Sequence, residues 1–374
     1  MSIKEKYNSL SESQKALTKM IGIVLAIIFI FIFIILVMSI IKGGKKTNSQ
    51  IEAIMEKAAQ EYVANHDEVL KDQIYGSTEI EVDKLVEEKY MKPLTKYYGK
   101  DSTCKGKVLV YKNLDNYDYN ARIDCGENYR TASLYEKIVD KKNIVTEESG
   151  LYEYEDKYVY RCEYVDNYVS FAGSIWRIVN ITKDGEIRMF QNTTDTQVSW
   201  DDRYNGDYKE KSGINLFEGT ESSRLKEAIL GLYNNESIFT NEVKSHIIPK
   251  EYCSGKRSED DTTKDYSTEC STKTELMGAS ALVAADFLNA SIDPKCITTS
   301  SKECSNYNYM ANLSRSSWLM TADSSSTKKA YYFADQIYST TTVNYGYVRL
   351  VVTVNGNINY TKGTGTEEDP YVIG

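Results

Sequence analysis

The run Ile175-Trp-Arg-Ile-Val-Asn-Ile-Thr-Lys-Asp-Gly-Glu-Ile-Arg-Met-Phe-Gln191 sets two strand-like arms on either side of Asp184-Gly185. β-Branched and aromatic side chains fill both arms, and Asp-Gly accepts the positive φ of a tight turn, so an antiparallel hairpin is predicted. Strand signals continue outward from it. Lys157-Tyr-Val-Tyr-Arg-Cys-Glu-Tyr164 and Tyr168-Val-Ser-Phe171 come before, and Tyr331-Tyr-Phe333, Tyr347-Val-Arg-Leu-Val-Val-Thr-Val354 and Ile358-Asn-Tyr360 come after. Ser222 and Ser223 precede a helical pattern with Leu225, Ile229, Leu232 and Tyr233 on one face. Thr240 or Asn241 begins another, which Pro249 closes. Residues 150–374 are therefore expected to form one mixed α+β domain of ordinary size.

Upstream, residues 47–135 read as a smaller α+β domain. Ile51, Ile54, Met55, Ala58, Tyr62 and Val69 recur at helical spacing behind Thr47 and Asn48, either of which can cap the start. Thr78-Glu-Ile-Glu-Val82 alternates like a short strand, Asp83 is placed to cap a following helix, and Pro93 ends it. Lys107-Val-Leu-Val-Tyr111 and Tyr117-Asp-Tyr-Asn-Ala-Arg-Ile123 form a second expected hairpin. If its turn is centred between Leu114 and Asp115, Cys104 and Cys125 face each other at a distance a disulfide can bridge.

Seven cysteines and no Cys-x-x-Cys favour structural cystines in an oxidising compartment over a zinc or redox site. Besides Cys104–Cys125, the economical pairs are Cys253–Cys270 and Cys296–Cys304, each bracketing a polar loop. Closing a loop of ~15 residues contributes roughly 3 kcal/mol. Cys162 is left over, as a buried strand thiol, an intermolecular partner or a sign of different pairing.

Met20–Ile41 contains no charge and at 1.5 Å per residue covers about 30 Å, so the sequence predicts a single N-terminal transmembrane helix that contacts the lipid bilayer. Residues 1–19 are then a cytoplasmic tail, and all seven cysteines lie on the extracellular side of a single-pass cell-membrane protein. Lys+Arg is 45 against Asp+Glu 54, a net charge of −9, which lacks the basic field a nucleic-acid partner requires.

Two histidines, His66 and His246, give little scope for imidazole catalysis or zinc ligation. Trp200-Asp-Asp-Arg-Tyr-Asn-Gly-Asp207 has the acidic spacing of a calcium loop but carries Arg203 at a ligand position, so a solvated turn is expected. Gly363-Thr-Gly-Thr366 lacks the helix that would make it a phosphate cradle. No catalytic residue, metal site or cofactor is predicted. The 31 tyrosines offer amphipathic recognition area, and Trp318, Tyr331 and Tyr345 are the candidate binding surface.

Two resemblances extend this reading. Met55-Glu-Lys-Ala-Ala-Gln-Glu-Tyr-Val63, Val82-Asp-Lys-Leu-Val86 and the segment from Cys104-Lys-Gly-Lys-Val108 to Cys125-Gly-Glu-Asn-Tyr129 resemble type IV pilin-like proteins of Gram-positive bacteria. The chain departs from them in having no short leader ending in Gly before a Phe-led helix, and no Glu within the apolar block. Asn167-Tyr-Val-Ser-Phe171, Ile175-Trp-Arg-Ile178, Ser223-Arg-Leu-Lys226, Leu276-Met-Gly278, Asp286-Phe-Leu-Asn-Ala-Ser291, Trp318-Leu-Met-Thr321 and Gly346-Tyr-Val-Arg-Leu350 resemble an uncharacterised family of extracellular modules from low-GC Gram-positive bacteria. That family is similar in fold to C-type-lectin-like and formylglycine-generating-enzyme-like proteins. Together the resemblances imply a membrane-anchored, non-catalytic surface protein that binds an extracellular protein or glycan. The alternative they imply is a structural or accessory subunit of a pilus-like or secretion assembly.

Overall fold

The computed structural model describes Ser11 and residues 46–66, 68–70, 73, 75–113 and 116–373. The chain divides into two compact units, Met1–Ile51 and Glu52–Gly374. The transmembrane helix expected at Met20–Ile41 lies outside the described residues. Among the described residues no helix is long and apolar enough to cross a membrane. The longest, Asn48–Asn65, carries Glu52, Glu56, Lys57 and Glu61. Among the described residues the fold class is accordingly corrected to α+β with more strand than helix and with no transmembrane helix among its elements.

Within the second unit, Tyr75–Glu81, Lys105–Asn113 and Asn116–Asp124 form an antiparallel three-stranded sheet in chain order. One of its faces is apolar because Ile80, Val108, Val110 and Ile123 are buried and alternate with more exposed neighbours along their strands. Met55, Ala58, Ala59 and Tyr62 of the Asn48–Asn65 helix are buried at helical spacing, and a Cβ on Gly106 would sit 2.9 Å from Met55 Cε. The helix therefore lies close enough to the sheet to require glycine there. Thr47 begins it as expected, accepting from Gln50 N at 3.3 Å. Asp83 does not cap the next helix: Val82–Glu87 starts behind Glu81 without a side-chain cap, and Asp83 sits inside its first turn.

The larger part is built on a seven-stranded sheet whose centre is the predicted hairpin, Ser174–Thr182 paired with Glu186–Gln191. Val351–Asn355 flanks it on one side and Lys157–Arg161 with Gly150–Tyr154 on the other, while Tyr168–Phe171 also pairs with Ser174–Thr182. A six-stranded sheet runs Ile337–Thr341, Lys329–Phe333, Ser317–Asp323, Tyr345–Tyr347 and Gln197–Ser199, with Lys256–Arg257 parallel to Ser317–Asp323. One apolar core joins the two sheets, centred on Trp176, Phe190, Trp200, Phe287 and Trp318. Ser223 and Thr240 cap their helices, accepting from Lys226 N and Val243 N.

The three-stranded sheet is tied to this larger part. Asn113 Nδ2 donates to Lys244 O at 2.7 Å and to Ile247 O, Arg122 donates to Asn357 O, and Asn120 Oδ1 accepts from Asn359 N at 3.2 Å.

All three expected disulfides are present, with Cα separations of 4.1 Å for Cys104–Cys125, 4.3 Å for Cys253–Cys270 and 4.4 Å for Cys296–Cys304. The hairpin register that brings Cys104 and Cys125 together runs from Asn113↔Asn116 to Lys105↔Asp124. Cys162 is a buried free thiol, placed just after the Lys157–Arg161 strand rather than within it, with φ of 84°. Its backbone is held by Ala290 O, to which its N–H donates at 2.9 Å, and by Tyr309 N, which donates to its carbonyl at 2.8 Å.

Candidate functional site

Trp318 and Tyr331 do not form a binding surface. Both are buried: the Trp318 indole donates to Val198 O at 3.0 Å, and the Tyr331 hydroxyl reaches Arg257 O at 3.4 Å. Ser317–Asp323 is covered on both faces, so neither its odd nor its even positions reach solvent. Tyr345 alone of the three is at the surface, 73 % exposed. The Trp200–Asp207 segment is solvated at Asp202, Tyr204, Gly206 and Asp207, as expected, but buried at Trp200, Asp201 and Asn205. Asp201 is fully buried and accepts from Arg203 Nε at 2.6 Å and Ile214 N at 3.1 Å, so the arginine occupies the place a cation would take. Among the described residues no group of three His, Cys, Asp or Glu side chains is arranged to hold a metal.

The arrangement that does resemble a combining site lies on the central hairpin. Arg177 occupies the middle of the Ser174–Thr182 strand, facing Tyr168 on one neighbouring strand and Phe190 on the other. Facing residues of paired strands share a side of the sheet, so the guanidinium emerges between aromatic rings. Its Cζ is 3.8 Å from the Tyr168 ring centroid and 5.1 Å from that of Tyr309, and Tyr309 in turn stacks on Phe190 at 6.5 Å. Asn167, itself fully buried, accepts from Arg177 Nε and donates to Ile178 O at 2.7 Å, which fixes the plane of the fork.

Arg177 is only 5 % exposed, yet among the described residues no carboxylate lies within ion-pair distance of it. Burial pulls its pKa below the usual arginine range, partly offset by Tyr168, Tyr309 and Glu367. Cation–π contact supports such a charge by roughly 0.5–2 kcal/mol, less than a buried carboxylate partner contributes.

A cleft of about 550 Å³ opens above this arginine. Glu163, Tyr164 and Asp166 line one side of it, from the segment between the Lys157–Arg161 and Tyr168–Phe171 strands. Glu367 and Glu368 line another, and Tyr164 stands 80 % exposed at the rim. The Gly363-Thr-Gly-Thr366 turn positions the two late glutamates. Thr364 N and Gly365 N both donate to Asp369 O, at 2.9 and 3.0 Å, and the positive φ values of Gly363 and Gly365 close the turn. Arg349, from the Gly346-Tyr-Val-Arg-Leu350 motif, secures the remaining walls from below by donating to Gln191 O, Asn192 O, Ser314 O and Ser317 Oγ.

A larger hollow of about 790 Å³ lies against the three-stranded sheet. Opposed charges pair within its wall, Lys107 with Glu79 and Arg130 with Glu136, each at 2.7 Å. It is the weaker candidate, because those groups already satisfy one another.

In the sequence Arg177 stands out only as part of the Ile175-Trp-Arg-Ile178 motif and Tyr309 only as one of the late tyrosines that could furnish a recognition surface, while Tyr168 and the rim carboxylates carry no signal of a site. The available signal was an arginine set inside the apolar run Ile175-Trp-Arg-Ile-Val179, where a charge requires a stated reason. No family model matches the chain, and no curated protein or solved structure matches it either.

Proposed function

We propose that this protein is an extracellular, non-catalytic binding module that holds an extracellular protein or glycan in the Arg177 cleft. Three disulfides point to an extracellular or secreted protein. The observation that carries the reading is the buried, carboxylate-free Arg177 at the base of an open, tyrosine-lined cleft, since a pre-oriented donor fork beside exposed aromatic area is what a recognition site supplies.

The histidines support a non-catalytic role. His66 stacks on Tyr62 at 4.0 Å and contacts Glu88 at 3.1 Å, while His246 lies beside Asp118 at 3.3 Å, and neither lines the cleft.

Screening the full chain against immobilised glycans and extracellular proteins tests the proposal. Reproducible ligands whose capture falls at least tenfold in Arg177→Met support it. Turnover of any substrate, or ligands indifferent to Arg177, overturns it. The full chain is required, because a fragment beginning at residue 150 would expose the surface that Asn113 and Arg122 cover.

A further inference from the structure

The charges of the Arg177 cleft are ordered by depth. At its base Arg177 is buried without a carboxylate partner, and behind its walls Arg349 is buried with only neutral oxygens as partners. At its mouth stand Glu163, Asp166, Glu367 and Glu368. Two of these acids are lightly engaged: Asn312 Nδ2 donates to Glu163 at 3.1 Å and the Tyr168 hydroxyl to Glu367 at 3.4 Å. Neither contact neutralises a carboxylate.

A ligand carrying one sign of charge throughout is opposed at one end of such a cleft. An acidic glycan meets the mouth carboxylates first. A neutral glycan can donate hydroxyls to the mouth but brings no charge for the buried cation. A ligand with an anionic tip and a cationic part behind it matches both ends.

We propose that the cleft captures the free C-terminal carboxylate of an extracellular protein segment bearing Lys or Arg just upstream. This rests on the binding reading above and selects protein over glycan within it. Guanidinium and carboxylate match as planar, two-pronged partners; Asn167 takes Nε and the Tyr168 hydroxyl also bonds the guanidinium, so the ligand carboxylate meets the Nη edge beside Tyr168. The ligand's basic side chains then meet Glu367 and Glu368, which the glycine turn holds at the entrance. No bond is made or broken.

The test uses the full chain and fluorescein-labelled hexapeptides ending Lys-Lys-Gly-Ala, read by fluorescence polarisation. The free acid is expected to bind at least tenfold tighter than the C-terminal amide, and at least tenfold tighter than a peptide with Glu in place of both Lys. Arg177→Met is expected to abolish the acid-over-amide preference. The double variant Glu367→Gln, Glu368→Gln, which alters only the mouth, is expected to keep that preference and lose the preference for Lys. Equal binding of acid and amide, preference for the acidic peptide, or no binding of any peptide overturns the proposal. Arg177-dependent capture of glycans without peptides overturns the ligand class alone and leaves the binding reading standing; absence of any Arg177-dependent ligand removes both.

Discussion

His246 Nδ1 lies 3.3 Å from Asp118 Oδ2, joining the helix Asn241–Ser245 to the three-stranded sheet at ion-pair distance without hydrogen-bond alignment. Burial pulls the imidazole pKa down, but Asp118 outweighs it and Glu242 adds to the rise, so the group titrates above its ordinary value. Across the same groove Glu56 is pushed up to about 6 by burial, with Glu52 and Asp118 raising it further and Ala121 N and Arg122 opposing. Both folded-state values exceed the unfolded ones. Each contribution is therefore fully present below the unfolded pKa and is lost as pH rises through the folded one.

Stability should accordingly fall as pH climbs from about 5 to 8. Glu56 accounts for about 1 kcal/mol of that after allowance for its partial exposure. Thermal melts across this range check it. Glu56→Gln should flatten the slope, and a melting temperature that rises with pH in the wild type would contradict the assignment.

Arg257 and Glu269 form the most deeply buried ion pair among those described, both at 0 % side-chain exposure, bonded through Nε–Oε1 at 2.8 Å and Nη2–Oε2 at 3.0 Å. Glu269 also accepts from Ala285 N at 3.2 Å, and Arg257 Nη2 donates to Thr263 O at 2.8 Å, so the pair anchors the polar loop closed by Cys253–Cys270. Removing the Glu269 charge leaves the buried guanidinium only Asp261, 3.5 Å from Nη1. Glu269→Gln should cost roughly 3–5 kcal/mol in denaturant unfolding, while a surface control such as Glu153→Gln, whose partner Lys183 is half-exposed, should cost under ~1 kcal/mol.

What could be read in the sequence was local. The hairpins around Asp184-Gly185 and Leu114-Asp115 follow from period-two alternation, and the register of the second fixes Cys104 opposite Cys125 without knowledge of the rest of the fold. The other two cystines close short loops. What could not be read depends on distant partners. Trp318 and Tyr331 resemble recognition residues until their strands are seen paired inside a sheet covered on both faces. Arg177 is an unexplained charge inside an apolar run until Tyr309, remote in sequence, is seen packed against it. The apolar block Met20–Ile41 had a clear local reading, but it lies outside the described residues, and strand pairing elsewhere does not bear on it.

Cys162 takes part in none of the three disulfides and is buried with its backbone fixed between Ala290 and Tyr309. A thiol without solvent access does not react, whatever its intrinsic nucleophilicity. Iodoacetamide should leave the native chain unlabelled at Cys162 and modify it stoichiometrically in guanidinium. Peptide mapping without reductant should recover Cys104–Cys125, Cys253–Cys270 and Cys296–Cys304 as the three cystines. Rapid native labelling of Cys162, or its recovery in a cystine, would refute this.

Arg349 gives the last prediction, because its cost and its consequence are separable. Burial brings its pKa down to about 10, and neighbouring Arg315 adds to the fall. The charge is nevertheless retained because its donors satisfy Gln191 O at 3.1 Å, Ser317 Oγ at 2.9 Å, and the carbonyls of Asn192 and Ser314. Arg349→Met leaves Ser317 Oγ, which is buried, and three part-buried carbonyls without that donor, each worth up to ~1–3 kcal/mol before relaxation, and should lower stability by roughly 2–4 kcal/mol. Arg349→Lys keeps the cation but cannot span the four oxygens from one compact ammonium, so it should recover only part of the loss. The two walls it joins belong to the cleft. Any ligand of Arg177 should therefore dissociate faster from Arg349→Lys than from the wild type at a temperature where both remain folded, measured by surface plasmon resonance with circular dichroism as the folding control. An unchanged dissociation rate in a destabilised variant would show that Arg349 holds the fold together without shaping the cleft.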